Sequence, residues 1–220
     1  MLIKNWKYQS SYDEIGELSI TRGQFMTGNI LGIIAEKIPL KPHKRNIADA
    51  SSYNVPVRIK LVDLNDDLNC KNAEDRIKEA LTELEMEGCR AVITTGGRLG
   101  CFDHVMHSSE LLALSTPLAA TGFIITSIPS DKKVGIFNDL SEEENRGLMQ
   151  SLEYSEEVIQ RCVFNPDEDH TDSIAAVVWD KPYGYDSELK LCEKVPVYDI
   201  IKLASLISYV VMQKPYQGVI

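Results

Sequence analysis

Apolar residues in this chain come in short unbroken runs, separated by stretches in which they recur every three or four positions. Residues 30–35 (ILGIIA), 89–95 (CRAVITT), 133–138 (KVGIFN) and 174–179 (IAAVVW) have strand length and few polar breaks, the pattern of strands buried on both faces of a parallel sheet. Residues 57–62 (VRIKLV) alternate cleanly and predict another strand, and residues 19–22 and 161–164 are shorter candidates. From Asn72 to Gly88 the residues Ala73, Ile77, Ala80, Leu81 and Leu84 follow helical spacing, which predicts an amphipathic helix that Gly88 ends. Residues 102–114 and 117–128 predict two more helices, the second with Pro117 in its first turn. Ser141 ahead of Glu142, Glu143 and Glu144 predicts a capped helix start, with three carboxylates where the macrodipole favours them. Residues 197–212, carrying Ile200, Ile201, Leu203, Ala204, Ile207 and Val211, predict a strongly apolar last helix. Strand and helix alternate, so the expected class is α/β with mainly parallel sheets flanked by helices.

The places where the apolar runs break are where chemistry is expected, because ligands in parallel α/β folds bind at the carboxyl ends of strands. The run in residues 91–102 breaks into Thr94, Thr95, Gly96 and Gly97, which fit either a nest of backbone N–H groups for an anion or a plain tight connection. Arg98 beside it fits a bidentate carboxylate clamp or an ion pair with an acidic neighbour. After the run 174–179, Asp180, Lys181 and Tyr183 fit an opposite wall or a solvent-facing turn. Cys101 fits a nucleophile near the cleft or a small buried hydrophobe. His104 and His107 with Asp103 lack a third placed ligand and read as a solvated helix face. The loop of residues 38–46 carries Pro39 and Pro42, which forbid helix and central strand; in an α/β fold it belongs to the ligand-facing edge, where His43 and Lys44 fit a cover over the site or, more usually, a solvated loop.

Composition narrows the class without changing the fold. With 44% apolar and 25% charged residues in 220 positions, the chain has enough to bury one large core or two small ones. A net charge of −10 argues against nonspecific binding to nucleic acid or anionic lipid. Residues 1–9 carry no secretory pattern, and no apolar run approaches the roughly 18 residues of a membrane helix, so a cytoplasmic, soluble protein is expected. Five scattered cysteines without CxxC spacing read as reduced thiols, with no zinc site.

Taken in order, residues 30–35 leading to the proline loop with Asn46 and then Pro56-Val57, Ile93-Thr94-Thr95 before a glycine turn, residues 133–137, residues 175–179 with Pro182-Tyr183, and Pro196 to Asp199 resemble the aspartate/glutamate/hydantoin racemase superfamily. Within it they resemble the branch that includes arylmalonate decarboxylase and maleate isomerase, over residues 28–211. The resemblance implies two pseudo-symmetric α/β lobes, no cofactor, and a small carboxylate in the cleft between them. It also implies a cysteine in the turn after one strand of each lobe, one thiolate removing a proton and the opposite thiol returning one. Those positions fall here at Gly96 or Gly97, with Gly97 the better match, and at Asp180, followed by Lys181 where a threonine is usual. Both thiols are absent.

On this basis residues 1–128 with 197–220 form one lobe and residues 129–196 a second, shortened lobe lacking one crossover helix. The trimmed lobe is expected to leave a sheet face for a partner, hence a homo-oligomer. The expected ligand residues are Thr94, Thr95, Gly96, Gly97, Arg98, Lys181 and Tyr183. Two readings of function stay open: a carboxylate-binding racemase-like protein without two-thiol chemistry, or an isomerase, decarboxylase or lyase of changed chemistry on a small carboxylic or dicarboxylic acid, using Cys101 and/or Asp180, or a histidine in a new role.

Overall fold

The computed structural model describes residues 17–20, 30–37, 47, 52–53, 55–64, 71–167, 172–181 and 190–212. The first sheet contains β1 (Glu17–Ile20), β2 (Ile30–Glu36), β3 (Val57–Val62), β4 (Cys89–Thr94) and β5 (Leu112–Leu114) in the spatial order β1-β3-β2-β4-β5. Only β1 runs antiparallel to its neighbour; the other pairs are parallel. The second sheet contains β6 (Lys133–Phe137), β7 (Cys162–Phe164), β8 (Ile174–Trp179) and β9 (Val197–Asp199), all parallel, in the order β7-β6-β8-β9.

Each sheet is covered on both faces, which is why β2, β4, β6 and β8 are largely apolar, while β3 beside β2 alternates with Arg58 and Lys60. Helix α1 (Lys71–Met86) lays Ala73, Ile77, Ala80, Leu81 and Leu84 on one face of the first sheet against Ile34, Val62 and Val92. Leu84 is fully buried, and truncating such a leucine to Ala costs about 2–5 kcal/mol. On the opposite face Leu31, Ile33, Val57, Ile59, Ala91 and Ile93 meet Ile200 and Ala204 of the last helix, α7 (Ile200–Met212). In the second sheet Val134, Ile136, Ala176 and Val178 face α3 (Thr121–Ser127), α4 (Glu142–Ser151) and α5 (Glu156–Gln160) through Ile124, Leu148, Met149 and Ile159. Helix α4 begins at Ser141 with a capping box: Ser141 Oγ accepts from the Glu144 amide at 3.2 Å, and the Ser141 amide donates to Glu144 Oε2 at 2.8 Å.

Three expectations are corrected. Residues 102–114 are not one helix: a 3-10 segment (Gly97–Phe102) runs into the single turn α2 (Asp103–Met106), and the chain then extends into β5. The Ser108 and Ser109 hydroxyls donate to the carbonyls of Val105 and Met106, competing for the groups a continuing helix would use. Residues 197–212 are likewise not wholly helical, since Val197–Asp199 pairs with β8 before α7 starts. The second sheet's other face is not left bare. Phe137, Val177, Trp179 and Val197 are covered by Leu191 and Cys192 of α6 (Lys190–Lys194), so the apolar face from which a partner was expected is closed within the chain. The connection from β7 to β8 shows no α-helix among its described residues, only a 3-10 turn at residues 172–173.

The two sheets repeat one register. Both central pairs shift by one residue at their start, between Ile30 and Leu31 in β2 and between Lys133 and Val134 in β6. Beyond the shift, Ile33 pairs with Ile93 and Ile34 with Thr94, as Ile136 pairs with Val178 and Phe137 with Trp179. The Thr95 amide donates to Ile34 O at 3.1 Å, and the Asp180 amide donates to Phe137 O at 2.9 Å. A glycine stands at the same place in each central strand, where a Cβ at Gly32 would lie 3.0 Å from Leu84 and one at Gly135 would lie 3.2 Å from Ile174 and Pro166.

Candidate functional site

The carboxyl ends of β4 and β8 face each other, and the residues that leave them make a contact between the two halves of the chain. After Thr94 the backbone enters positive φ at two successive residues, Gly96 at 72° and Gly97 at 57°. Thr94 Oγ1 accepts from the Gly96 amide at 2.9 Å and donates to Ser115 O, which fixes the turn. The Gly97 amide then points across to the second lobe and donates to Asp180 Oδ1 at 2.9 Å. The amide that fits an anion therefore already holds a carboxylate, and that carboxylate belongs to the chain itself.

Asp180 is 1% exposed. Its Oδ2 is buried and has no hydrogen-bond partner; the Thr116 hydroxyl and Asn138 amide lie near enough to favour the charged form without closing a bond on that oxygen. Burial dominates and raises the carboxyl from 3.8 to about 6; the Gly97 amide, Thr116 and Asn138 oppose the rise, and neighbouring Asp139 adds to it. Among the described residues, the basic side chains nearest to it in sequence and across the turn are paired with other acids. Arg98 Nη1 pairs with Glu36 Oε1 at 2.8 Å, and Lys181 Nζ pairs with Asp139 Oδ1 at 2.8 Å while lying 5.7 Å from the Trp179 ring centre.

The acids of those two ion pairs are counterparts, although the basic residues they hold are not. Glu36 stands four residues after Gly32 and Asp139 four after Gly135, and each holds a basic residue from the turn after the neighbouring strand of its own sheet. The same register makes Thr95 the counterpart of Asp180, with Gly97 two residues further along its turn. Thr95 Oγ1 is turned to the Glu36 amide at 3.4 Å. An Asn138–Asn145 pair braces the second turn: Asn138 Nδ2 donates to Asn145 Oδ1 at 2.6 Å, and Asn145 Nδ2 returns a bond to Asn138 Oδ1 at 3.0 Å.

The space around the two glycines differs sharply. A Cβ at Gly96 would lie 2.1 Å from Asp180 Oδ1, so no side chain fits there beside Asp180. One at Gly97 would meet only Asp180 O, at 3.8 Å. Cys101 packs against the second lobe's core, and burial, with Glu144 and Asp180 adding to it, raises its thiol above the ordinary value. A raised thiol is a poor nucleophile at neutral pH, so of its two readings the geometry favours the hydrophobe. His104 and His107 are exposed, 3.4 Å from Glu74 and 3.3 Å from Asp103 respectively. Tyr183 and the loop of residues 38–46, with His43 and Lys44, lie outside the described residues. The sequence reading missed Glu36, Thr116, Asn138 and Asp139. A signal for two of them was present, since residues 31–36 (LGIIAE) and 134–139 (VGIFND) share glycine and acid at the same spacing.

The architecture is that of a two-lobed, racemase-like α/β protein with strand-end turns facing each other. No protein-family model matches the chain, and no curated protein matches it. Among solved structures, an aspartate racemase from Picrophilus torridus superposes with a TM-score of 0.54 at 13% identity, over 84% of this chain and 94% of the other. An aspartate racemase homologue from Pyrococcus horikoshii OT3 gives 0.52 at 13% identity, over 83% and 98%. At such identity what is shared is the fold, and fold alone does not assign a reaction. Among the described residues, no helix is long and apolar enough to cross a membrane.

Proposed function

We propose that this chain is a racemase-like protein that binds a small carboxylate between its two lobes and does not carry out two-thiol racemisation. The observation that carries this reading is the Gly97 amide, 2.9 Å from a carboxylate oxygen at the mouth of a strand. A backbone donor that holds Asp180 in this way matches the carboxylate of a ligand equally well. Two-thiol proton transfer needs a sulfur on each side, and the facing turns supply Thr95, Gly96, Gly97 and Asp180 instead. Thermal shift with a panel of small mono- and dicarboxylates tests the binding; a ligand at 100 times its dissociation constant adds about 2.7 kcal/mol. No shift with any of them refutes it. Deuterium exchange at the α-carbon of aspartate and glutamate is expected to stay at the uncatalysed rate.

One observation favours a second reading, an isomerase, decarboxylase or lyase of changed chemistry. Asp180 has been moved by burial from 3.8 to about 6, within range of a general base or acid at neutral pH. In that reading Asp180 acts alone, because the raised Cys101 thiol offers no thiolate. Enzymatic α-carbon exchange lost in Asp180→Asn would select it over the first.

A further inference from the structure

We infer that Asp180 is the specificity-determining residue of the cleft, admitting a carboxylate ligand only together with one proton, so that the two carboxyl groups bind as an acid–carboxylate pair. This inference rests on the carboxylate-binding reading above and says what that site demands of its ligand.

The geometry leaves little alternative for a ligand carboxylate. The Gly97 amide it would use is taken by Asp180 Oδ1, so the ligand must displace that oxygen or lie against it. Retreat toward Gly96 is closed, since even a Cβ there would lie 2.1 Å from Oδ1. Asp180 Oδ2 is buried without a partner, and is the oxygen a proton would occupy to turn repulsion between two acids into a hydrogen bond. Two carboxylates brought into contact away from water cannot both remain ionised, and one takes up a proton. The balance is one ligand anion and one proton from solvent entering together, with the proton ending on Asp180.

Among the described residues, no other group facing Asp180 relieves the repulsion. From its own turn come Lys181, paired with Asp139, and Asp139 itself, which follows β6 and adds negative charge. From the first lobe come the Gly97 amide, Cys101 with its thiol raised, and Arg98 paired with Glu36. Thr116 and Asn138 are neutral, the first accepting from the Leu118 amide at 3.1 Å and the second tied to Asn145. Glu144, which raises Cys101, is held by the Ser141 cap. The site thus opposes dianions and selects ligands that arrive with a proton.

Calorimetric titration of the full chain with propionate, malonate and phenylmalonate, at pH 5 to 8 and in two buffers of different ionisation enthalpy, tests this. The expected result is uptake of close to one proton per ligand at pH 7.5, and affinity falling about tenfold per pH unit above roughly 6. Asp180→Asn, tested in parallel, should bind with no proton uptake and a flat profile over that range. Carboxylate binding to the unmodified chain with no proton uptake and a flat profile overturns the inference and leaves the carboxylate reading standing. Affinity that rises with pH, or binding of propylamine in place of the acids, overturns it in favour of a cationic ligand. No binding of any acid by either protein removes the carboxylate reading and this inference with it.

Discussion

Replacing Asp180 with Asn removes a buried charge while leaving an oxygen for the Gly97 amide, and the stability change follows from the environment of that carboxyl. Burial raises it from 3.8 to about 6, roughly two units, and each unit corresponds to about 1.4 kcal/mol. The folded value lies above the unfolded one, so the native state binds the extra proton between the two. The stabilisation from that proton is full below 3.8 and is lost as pH rises through about 6. Above pH 7 the ionised carboxylate therefore costs the native chain on the order of 3 kcal/mol, which the neutral amide does not. The amide nitrogen, placed where Oδ2 now lacks a partner, also lies beside the Thr116 hydroxyl. Asp180→Asn is expected to unfold at higher urea at pH 8, by about 1–3 kcal/mol, with the advantage shrinking to nothing near pH 4. Every other titrating group is common to both proteins, so the difference between their pH profiles isolates this residue. Two urea-denaturation profiles running parallel from pH 4 to 8 would refute the argument, whatever the absolute stabilities.

The two glycines of the first turn should respond differently. Gly96→Ala meets Asp180 Oδ1 and a backbone at φ 72°, ψ −157°, and should cost at least about 3 kcal/mol, relieved in part when combined with Asp180→Ala; equal costs in both backgrounds would show that the clash is not with Asp180. Gly97→Ala has room and only a positive φ to bear, so a loss near 1 kcal/mol is expected by thermal denaturation. Ser141→Ala should remove about 1 kcal/mol by opening the cap of α4, measurable in urea; a loss below about 0.3 kcal/mol would mean that the box contributes nothing. Iodoacetamide at pH 8 should label Cys101 in the native chain at less than about a tenth of the rate in urea, because burial raises its thiol; equal rates would restore it as a nucleophile candidate.

The strands were readable because parallel strands buried on both faces must be mostly apolar, and β2, β4, β6 and β8 are, their charged residues (Glu36, Arg90, Lys133) standing at or near strand ends. Helix α1 was readable for a related reason, its buried stripe of Ala73, Ile77, Ala80, Leu81 and Leu84 being a local pattern. β5 and β9 were not. Each is three residues long and is defined by its pairing with β4 or β8, which no local spacing encodes. The cover of the second sheet by Leu191 and Cys192 depends on tertiary packing in the same way. At the site, the sequence showed glycines after one strand and an acid after another, but the bond between them spans 83 positions. Nor could it show that Asp180 would be buried with Arg98 and Lys181 already committed to Glu36 and Asp139.

The closeness of Asp180 to Gly96 also orders the changes open to this chain in time. While Asp180 stays, position 96 accepts no residue with a side chain, whereas position 97 remains open to one. A lineage that acquired the acid first would have closed one route to a thiol in the opposite turn, and reopening it would require giving up the acid beforehand. An attempt to place a thiol at position 96 in the laboratory should therefore change position 180 first, whereas position 97 can be tried with Asp180 in place.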